Sequence, residues 1–236
     1  MKIVSIETFT NEYVGLVRLR TDEGDEGWGQ TSTYNSEITA QVLHLQVAPH
    51  VLGMSGHDIS EVNREVLERE HKFPGTYLYR ALCGVDTALW DIKGKTLQTP
   101  VWNLLGGKVR QKIRAIALGV GGDTPEECAE GAKKALENGF SALKFTPMPK
   151  NWAELTYTKM IGLAVEMVSA VRETVGWDFD IGIEIHRNMQ PHEAIVFCEE
   201  VASLRPYFIE DPIVPDSVVA MGDVAAKMKL PLAVGE

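Results

Sequence analysis

The sequence predicts an α/β protein in which an N-terminal α+β part precedes a series of parallel strand–helix units. Two observations carry this prediction. Strand patterns near the N-terminus give way to helical patterns, and beyond Arg110 strands and helices alternate. Such alternation is typical of parallel βαβ units with right-handed crossovers. We therefore predict two domains, residues 1–110 and 111–236.

The first domain is predicted to begin with a small antiparallel sheet. KIVSIETFT (2–10) and YVGLVRLRTDEGDEGWGQTS (13–32) read as strands, and TDEGDEG within the second favours a turn. From Ser36 to Lys95 the apolar residues recur every three or four positions, which is typical of helices. The first domain should therefore pack helices with a three-stranded meander.

The second domain is predicted to contain five strands separated by four helices. The strands are IRAIAL (113–118), SALKFTP (141–147), DIGIEIH (180–186), PYFIEDP (206–212) and PLAVGE (231–236). The helices lie at about 125–138, 155–175, 191–203 and 216–228. The first helix has a clear start signal, with Thr124 as N-cap, Pro125 at the first helical position and Glu127 as capping-box partner.

The composition argues against several classes of function. The net charge is −10, and no basic cluster suited to nucleic acid or an anionic membrane is present. Neither a continuous apolar span nor a signal-peptide pattern is found, so we expect a cytoplasmic protein. GVGGDTP before the first helix of the second domain lacks the third glycine of a dinucleotide-binding loop, because Thr124 occupies that position.

Glutamates end three successive predicted strands of the second domain. Glu184, Glu210 and Glu236 are spaced 26 residues apart, one strand–helix repeat each. Equivalent positions on neighbouring parallel strands lie side by side, so these carboxylates should converge. Ionised carboxylates in one pocket require a cation, and oxygen ligands suit Mg²⁺. The alternative is that the acids cap helices or form ion pairs.

Several motifs resemble a known family. ALCGVDTALWDIKGKTLQTPVWNLLGG (81–107), GWGQ (27–30) and the register of the three glutamates resemble the mandelate racemase and muconate lactonizing branch of the enolase superfamily. IGIEIHR, RPYFIEDP and LPLAVGE are most similar to galactonate-type acid-sugar dehydratases, which carry a histidine two residues beyond the first metal ligand, here His186. The resemblance implies a capping domain over a TIM-type barrel, modified as (β/α)7β, that binds one Mg²⁺.

The sequence departs from the family pattern at two positions. Glu184 stands where the first metal ligand is more often Asp, and its side chain is one methylene longer. Racemases of the branch carry two lysines in a K-x-K motif, whereas this chain has Lys144 and then Thr146. The second lysine would be the proton-abstracting base, so its absence disfavours racemisation and favours a dehydratase.

The implied reaction is dehydration of a small-molecule sugar acid to a 2-keto-3-deoxy acid. His186 is predicted to protonate the departing β-hydroxyl, and Lys144 is predicted, by resemblance, to hold the substrate carboxylate or a hydroxyl. Thr146 shares a strand face with Lys144 and is a further candidate substrate contact. Arg187 either touches substrate or pairs with a nearby acid. The simpler alternatives are that His186 is a hydrogen-bonded core residue and that Lys144 only neutralises Glu184.

Loops of the first domain are predicted to supply specificity. TNEY (10–13), TSTYN (31–35) and HKFPGTY (71–77) are polar and aromatic, and Tyr34 and His71 are the candidate substrate contacts. The rival functions are a racemase or cycloisomerase of the same superfamily and a non-catalytic, metal-dependent sugar-acid binder. The family tendency to symmetric assemblies implies a homo-oligomer.

The fifth predicted barrel strand ends at Glu236, the last residue of the sequence. A barrel of this family needs three more strand–helix units, so we expect a barrel truncated after the fifth strand. The general base of galactonate-type dehydratases, a histidine paired with an aspartate, would lie on those further strands.

Overall fold

The chain folds into two compact units, Met1–Gln111 and Lys112–Glu236, in a computed structural model that describes residues 1–31 and 33–235. Each unit has its own core of buried hydrophobic side chains. The predicted fold class is confirmed, since an antiparallel sheet with helices is followed by a parallel strand–helix series. No helix in the described ranges is both long and apolar enough to cross a membrane.

The first unit opens with the predicted meander. Its strands are β1 (Ile3–Thr10), β2 (Gly15–Thr21) and β3 (Glu26–Gln30), which pair antiparallel in the order β1-β2-β3. The turn between β2 and β3 is closed by the Thr21 N–H, which donates to the Asp25 carbonyl at 3.0 Å. The glycine-rich segment therefore forms the turn that its sequence predicts.

Among the described residues of the first unit, five α-helices follow the sheet. They are α1 (Ser36–Val42), α2 (Ala48–Val51), α3 (Ile59–Arg69), α4 (Gly75–Thr96) and α5 (Val101–Leu104), with a π-helical turn at Leu43–Val47. The backbone of β3 lies directly against α4, because a Cβ at Gly27 or Gly29 would overlap a backbone oxygen of α4. Close helix–sheet packing therefore requires both glycines of the GWG motif.

Up to residue 235, the second unit is a five-stranded parallel sheet with intervening helices. Its elements are β4 (Ala117–Val120), α6 (Pro125–Glu137), β5 (Ala142–Phe145), α7 (Tyr157–Val175), β6 (Asp180–Glu184), α8 (Pro191–Val201), β7 (Phe208–Glu210), α9 (Val218–Lys227) and β8 (Leu232–Ala233). The strand order β4-β5-β6-β7-β8 follows the chain, and all pairs are parallel. The carboxyl ends of the strands therefore lie along one edge.

The first strand of this sheet begins later than its sequence pattern predicts. The prediction was 113–118, whereas β4 spans Ala117–Val120 and Ile113 is 83% exposed. The preceding segment instead contacts the neighbouring strands through a side chain, because Arg114 donates to Ser141 and pairs with Asp180. The apolar residues of this segment therefore do not mark a strand.

A buried arginine joins two loops at the amino edge of the parallel sheet. Arg172 is 4% exposed, and its guanidinium donates to four backbone carbonyl oxygens at 2.7–3.2 Å. These acceptors belong to Gly176, Phe179, Leu204 and Arg205. Burial lowers the pKa of Arg172, an effect partly opposed by the charge of Asp180. One side chain therefore satisfies the carbonyls of the loops that lead into β6 and β7.

We predict that Arg172→Met lowers the free energy of unfolding by about 2–4 kcal/mol, because the buried carbonyls would lose a charged donor. Urea denaturation followed by circular dichroism measures the change. Lys134→Met is the matched control, since Lys134 is exposed on α6 and pairs with Glu130 at the surface. Equal unfolding midpoints for the two variants would contradict a stabilising role for Arg172.

Candidate metal centre

Three charged side chains meet at the carboxyl edge of the parallel sheet. Lys144 lies on β5, Glu184 ends β6 and Glu210 ends β7. The sheet register sets Glu184 directly opposite Glu210 and Lys144 opposite Gly182. Because side chains alternate along a strand, this register places all three on the same face of the sheet. The predicted convergence of Glu184 and Glu210 is thus found in the structure.

The Lys144 ammonium bridges the two carboxylates. Its Nζ lies 2.7 Å from Glu184 Oε2 and 2.6 Å from Glu210 Oε1. Glu184 is the most enclosed of the three, with 12% of its side chain exposed. The two acids and one base leave the cluster one negative charge in excess when all three are ionised.

The carboxylates shift the pKa of Lys144. Burial lowers the pKa of this ammonium, but hydrogen bonds from Nζ to Glu184 and Glu210, together with their charges, outweigh burial and raise it above the ordinary lysine value. The folded state therefore binds this proton more tightly than the unfolded state. Its contribution to stability is fully present below the ordinary lysine pKa and is lost as the pH rises through the raised value.

The donor set of this cluster fits a hard divalent cation. Glu184 Oε1 is buried and has no hydrogen-bond partner, so an acceptor oxygen is available beside the ion pair. Carboxylate oxygens are the ligands that Mg²⁺ prefers. Within 1–31 and 33–235, no group of three or more His, Cys, Asp or Glu is arranged to hold a metal. Glu236, the third predicted ligand, lies outside the described residues.

The structure places His186 differently from the sequence prediction. β6 ends at Glu184, and His186 and Arg187 follow in a turn with φ of 55° and 64°. The predicted strand to residue 186 is therefore too long, and His186 does not continue the alternation of the strand. Both residues adopt left-handed torsions, so the backbone is no longer extended here. His186 is exposed on this turn, and its catalytic role remains a prediction.

Thr146 and Arg187 lie on the same edge as the charged cluster. Thr146 follows the last residue of β5 and is half-buried. The Arg187 side chain is also half-buried, and its backbone N–H donates to the Asp211 carbonyl at 2.7 Å. Both residues therefore follow the strands that carry Lys144 and Glu184, and a substrate contact by either stays a prediction.

The candidate specificity residues belong to the first unit. Tyr34 is 65% exposed, has φ of 63° and makes an edge-on contact with Tyr13 at 6.2 Å between ring centroids. His71 is exposed, and its Nδ1 lies 2.8 Å from the Glu68 carbonyl oxygen. Ser32, within the predicted loop 31–35, lies outside the described residues. A substrate role for either side chain stays a prediction.

Asp211 is a site residue that the sequence analysis missed. It follows Glu210, is 2% exposed and hydrogen-bonds through its backbone to the segments on both sides of β7. The signal in the sequence is an acid between Glu210 and Pro212, at a strand end where one carboxylate already stands. Aspartate before proline is common in turns, so the pattern alone did not distinguish it.

Comparison with known families shows the family to which the chain belongs. Residues 2–106 match the mandelate racemase / muconate lactonizing enzyme N-terminal domain, and residues 127–236 match the enolase C-terminal domain-like family. A solved enolase superfamily member from Salmonella Typhimurium is 30% identical, with a TM-score of 0.90 over 100% of this chain and 67% of that one. The chain belongs to the enolase superfamily. Members of this superfamily typically use Mg²⁺.

Two further solved structures are similar to this chain. A protein from Roseobacter denitrificans, provisionally named a racemase, is 37% identical, with a TM-score of 0.90 over 100% of this chain and 64% of that one. A protein from Agrobacterium radiobacter, provisionally named a galactarate dehydratase, contains Na and L-malate. It is 25% identical, with a TM-score of 0.90 over 100% of this chain and 61% of that one. This enolase superfamily chain thus spans less than two thirds of the length of these two relatives.

We predict that Lys144→Met lowers the free energy of unfolding by about 1–3 kcal/mol at neutral pH, because two adjacent carboxylates would lose their counter-ion. The loss should be smaller in millimolar Mg²⁺, which would replace the missing positive charge. Urea denaturation with and without Mg²⁺ measures both effects.

Lys150→Met is the control for this prediction, since Lys150 follows the same strand but is 91% exposed in its pair with Asp123. In the parent, part of the stability should disappear as the pH rises above the ordinary lysine range. That part should be absent in Lys144→Met. Identical stability of parent and Lys144→Met at every pH would refute the role assigned to the ion pair.

Proposed function

We propose that this protein is a Mg²⁺-dependent acid-sugar dehydratase of the galactonate type. The observation that carries the proposal is the pairing of Glu184 with Glu210 across β6 and β7, with the Lys144 ammonium between them. This arrangement combines an oxygen-rich cation site with a positive charge that can hold a substrate carboxylate. A hydroxy acid offers the matching groups, because its carboxylate and hydroxyl oxygens can contact a cation and an ammonium together.

The metal would be held by Glu184 and Glu210, with Glu236 as the proposed third ligand. When bound, Mg²⁺ supplies positive charge that stabilises the negative charge developing on a substrate carboxylate. Lys144 would orient that carboxylate or a neighbouring hydroxyl by hydrogen bonding. A bound substrate would compete with Glu184 and Glu210 for the hydrogen bonds that Lys144 donates.

His186 is the proposed general acid. The α-carbon loses its proton to a base, the bond from the β-carbon to its hydroxyl breaks, and His186 gives the hydroxyl the proton that completes a water molecule. The resulting enol tautomerises to a 2-keto-3-deoxy acid. The turn after β6 presents His186 two residues beyond Glu184 and leaves it exposed, which suits a group that must reach a bound substrate.

Racemisation is the second candidate, because the Roseobacter relative is provisionally named a racemase. By resemblance to the K-x-K pair of racemases, Thr146 occupies the position of the lysine that would exchange the α-proton. A threonine hydroxyl is too weak a base to replace an amine in that step. This substitution favours elimination over racemisation. The proposal also includes a small-molecule sugar acid as substrate, a homo-oligomeric assembly and a cytoplasmic location.

The test incubates the intact protein with Mg²⁺ and a library of sugar acids and detects 2-keto-3-deoxy acids. We expect product from the parent and a loss of about 10²–10⁴-fold in kcat for His186→Asn, because a general acid contributes that much. His192→Asn is the matched control, since His192 is also an exposed histidine of this unit and stacks on Tyr157 at 5.8 Å. It should retain parental turnover.

The same reactions run in D₂O separate the rival functions. Exchange of the α-proton without keto acid would indicate a racemase or cycloisomerase. Metal-dependent binding of a sugar acid with neither exchange nor product would indicate a non-catalytic binder. Either result, across a library that includes aldonic and aldaric acids, would overturn the dehydratase proposal.

A further inference from the structure

Asp211 combines burial with an unusual backbone conformation beside the proposed metal ligands. Its φ is 40°, its side chain is 2% exposed, and its Oδ2 is buried without a hydrogen-bond partner. A non-glycine residue with positive φ is uncommon, and the following proline restricts the backbone further. Such a conformation persists only when surrounding contacts enforce it, and it is often found at functional sites.

Asp211 contacts the chain on both sides of β7. Its N–H donates to the Ala233 carbonyl at 3.0 Å, and its own carbonyl accepts from the Arg187 N–H at 2.7 Å. Its Oδ1 accepts from the Gly235 N–H at 3.3 Å. Asp211 thus joins the turn that follows β6 to the segment that follows β8, and Gly235 directly precedes Glu236 in the sequence.

The hydrogen bonds around Asp211 change the register between neighbouring segments. In a regular parallel ladder both strands advance by two residues between successive bonds of this kind. Here the Ile185 N–H donates to Glu210, and the Arg187 N–H then donates to Asp211, only one residue further along. The β6 side therefore carries one extra residue, and the turn residue His186 lies within this irregularity. Bulges of this kind re-aim side chains next to active sites.

We propose that Asp211 is a positioning residue that sets the direction of the His186 turn and anchors the segment leading to Glu236, an inference that rests on the proposed function of this edge. The backbone carbonyl of Asp211 sets the direction of the His186 turn, and its side-chain oxygen anchors the segment leading to Glu236. The residue touches neither substrate nor metal in this proposal. It acts on Glu184, His186 and Glu236 through the segments that carry them.

Three substitutions separate the side-chain contribution from the backbone contribution. Asp211→Asn keeps an acceptor for the Gly235 N–H and tolerates positive φ. Asp211→Gly accepts the backbone torsion without strain but removes the acceptor. Asp211→Ala removes the acceptor and retains the strain. Asp216→Ala, an exposed acid in the loop after β7, is the matched control.

The experiment measures Mg²⁺ affinity of the intact protein by calorimetry for the parent and all four variants, after circular dichroism has shown that each is folded. We expect Asp211→Gly and Asp211→Ala to bind Mg²⁺ about 10-fold more weakly or worse, as for other outer-shell partners of metal ligands. Asp211→Asn and Asp216→Ala should stay within about threefold of the parent, because the contacts that orient the ligand-bearing segments remain. If Asp211 served only to stabilise the fold, variants with equal folded fractions would bind Mg²⁺ equally. Asp211→Asn would then not recover the affinity lost in Asp211→Ala.

Amide hydrogen exchange gives a second readout that needs neither metal nor substrate. Exchange at Gly235 should accelerate in Asp211→Gly and Asp211→Ala and remain parental in Asp211→Asn, while exchange at Arg187 should accelerate most in Asp211→Ala. If the parent binds no Mg²⁺, the proposed function fails, and the exchange rates still decide the role of Asp211. Parental exchange at Gly235 in all three Asp211 variants would overturn the positioning role.

Discussion

The parallel register between β6 and β7 is the constraint on which the site depends. It holds Glu184 against Glu210, two like charges that repel each other at the carboxyl edge of the parallel sheet. Lys144 from the next strand makes this pairing tolerable by donating to both carboxylates. The juxtaposition of the two carboxylates therefore follows from backbone pairing, since no loop needs to fold in order to bring them together.

The sequence predicts this part of the site because the information is local and periodic. Side chains alternate on a strand, and the strand–helix repeat of 26 residues returns an acid to the equivalent position on the next strand. These two periods place Glu184 beside Glu210 without knowledge of any loop. The GWG motif is similarly local, because the close contact between β3 and α4 excludes any side chain at Gly27 and Gly29.

The features that could not be predicted from the sequence depend on contacts between distant segments. The N–H groups of Ile185 and Arg187 donate to the consecutive carbonyls of Glu210 and Asp211, which places one extra residue on the β6 side. His186 leaves the strand for this reason, and its own conformational propensity does not predict it. The positive φ of Asp211 is likewise unmarked, since glycine would be the usual signal for such a torsion. β4 begins late because Arg114 attaches the preceding segment through its side chain, which apolar periodicity does not detect.

The two edges of the parallel sheet carry different kinds of polar interaction. At the amino edge, the buried Arg172 donates its hydrogen bonds to backbone carbonyls, and its guanidinium lies over the Trp177 ring at 5.1 Å. At the carboxyl edge, the ion pairs of Lys144 instead join side chains that would meet a ligand. Sequence change can therefore accumulate in one group of loops without disturbing the other. A scaffold divided in this way can acquire a new substrate at one edge while the Arg172 hydrogen bonds at the other edge remain untouched.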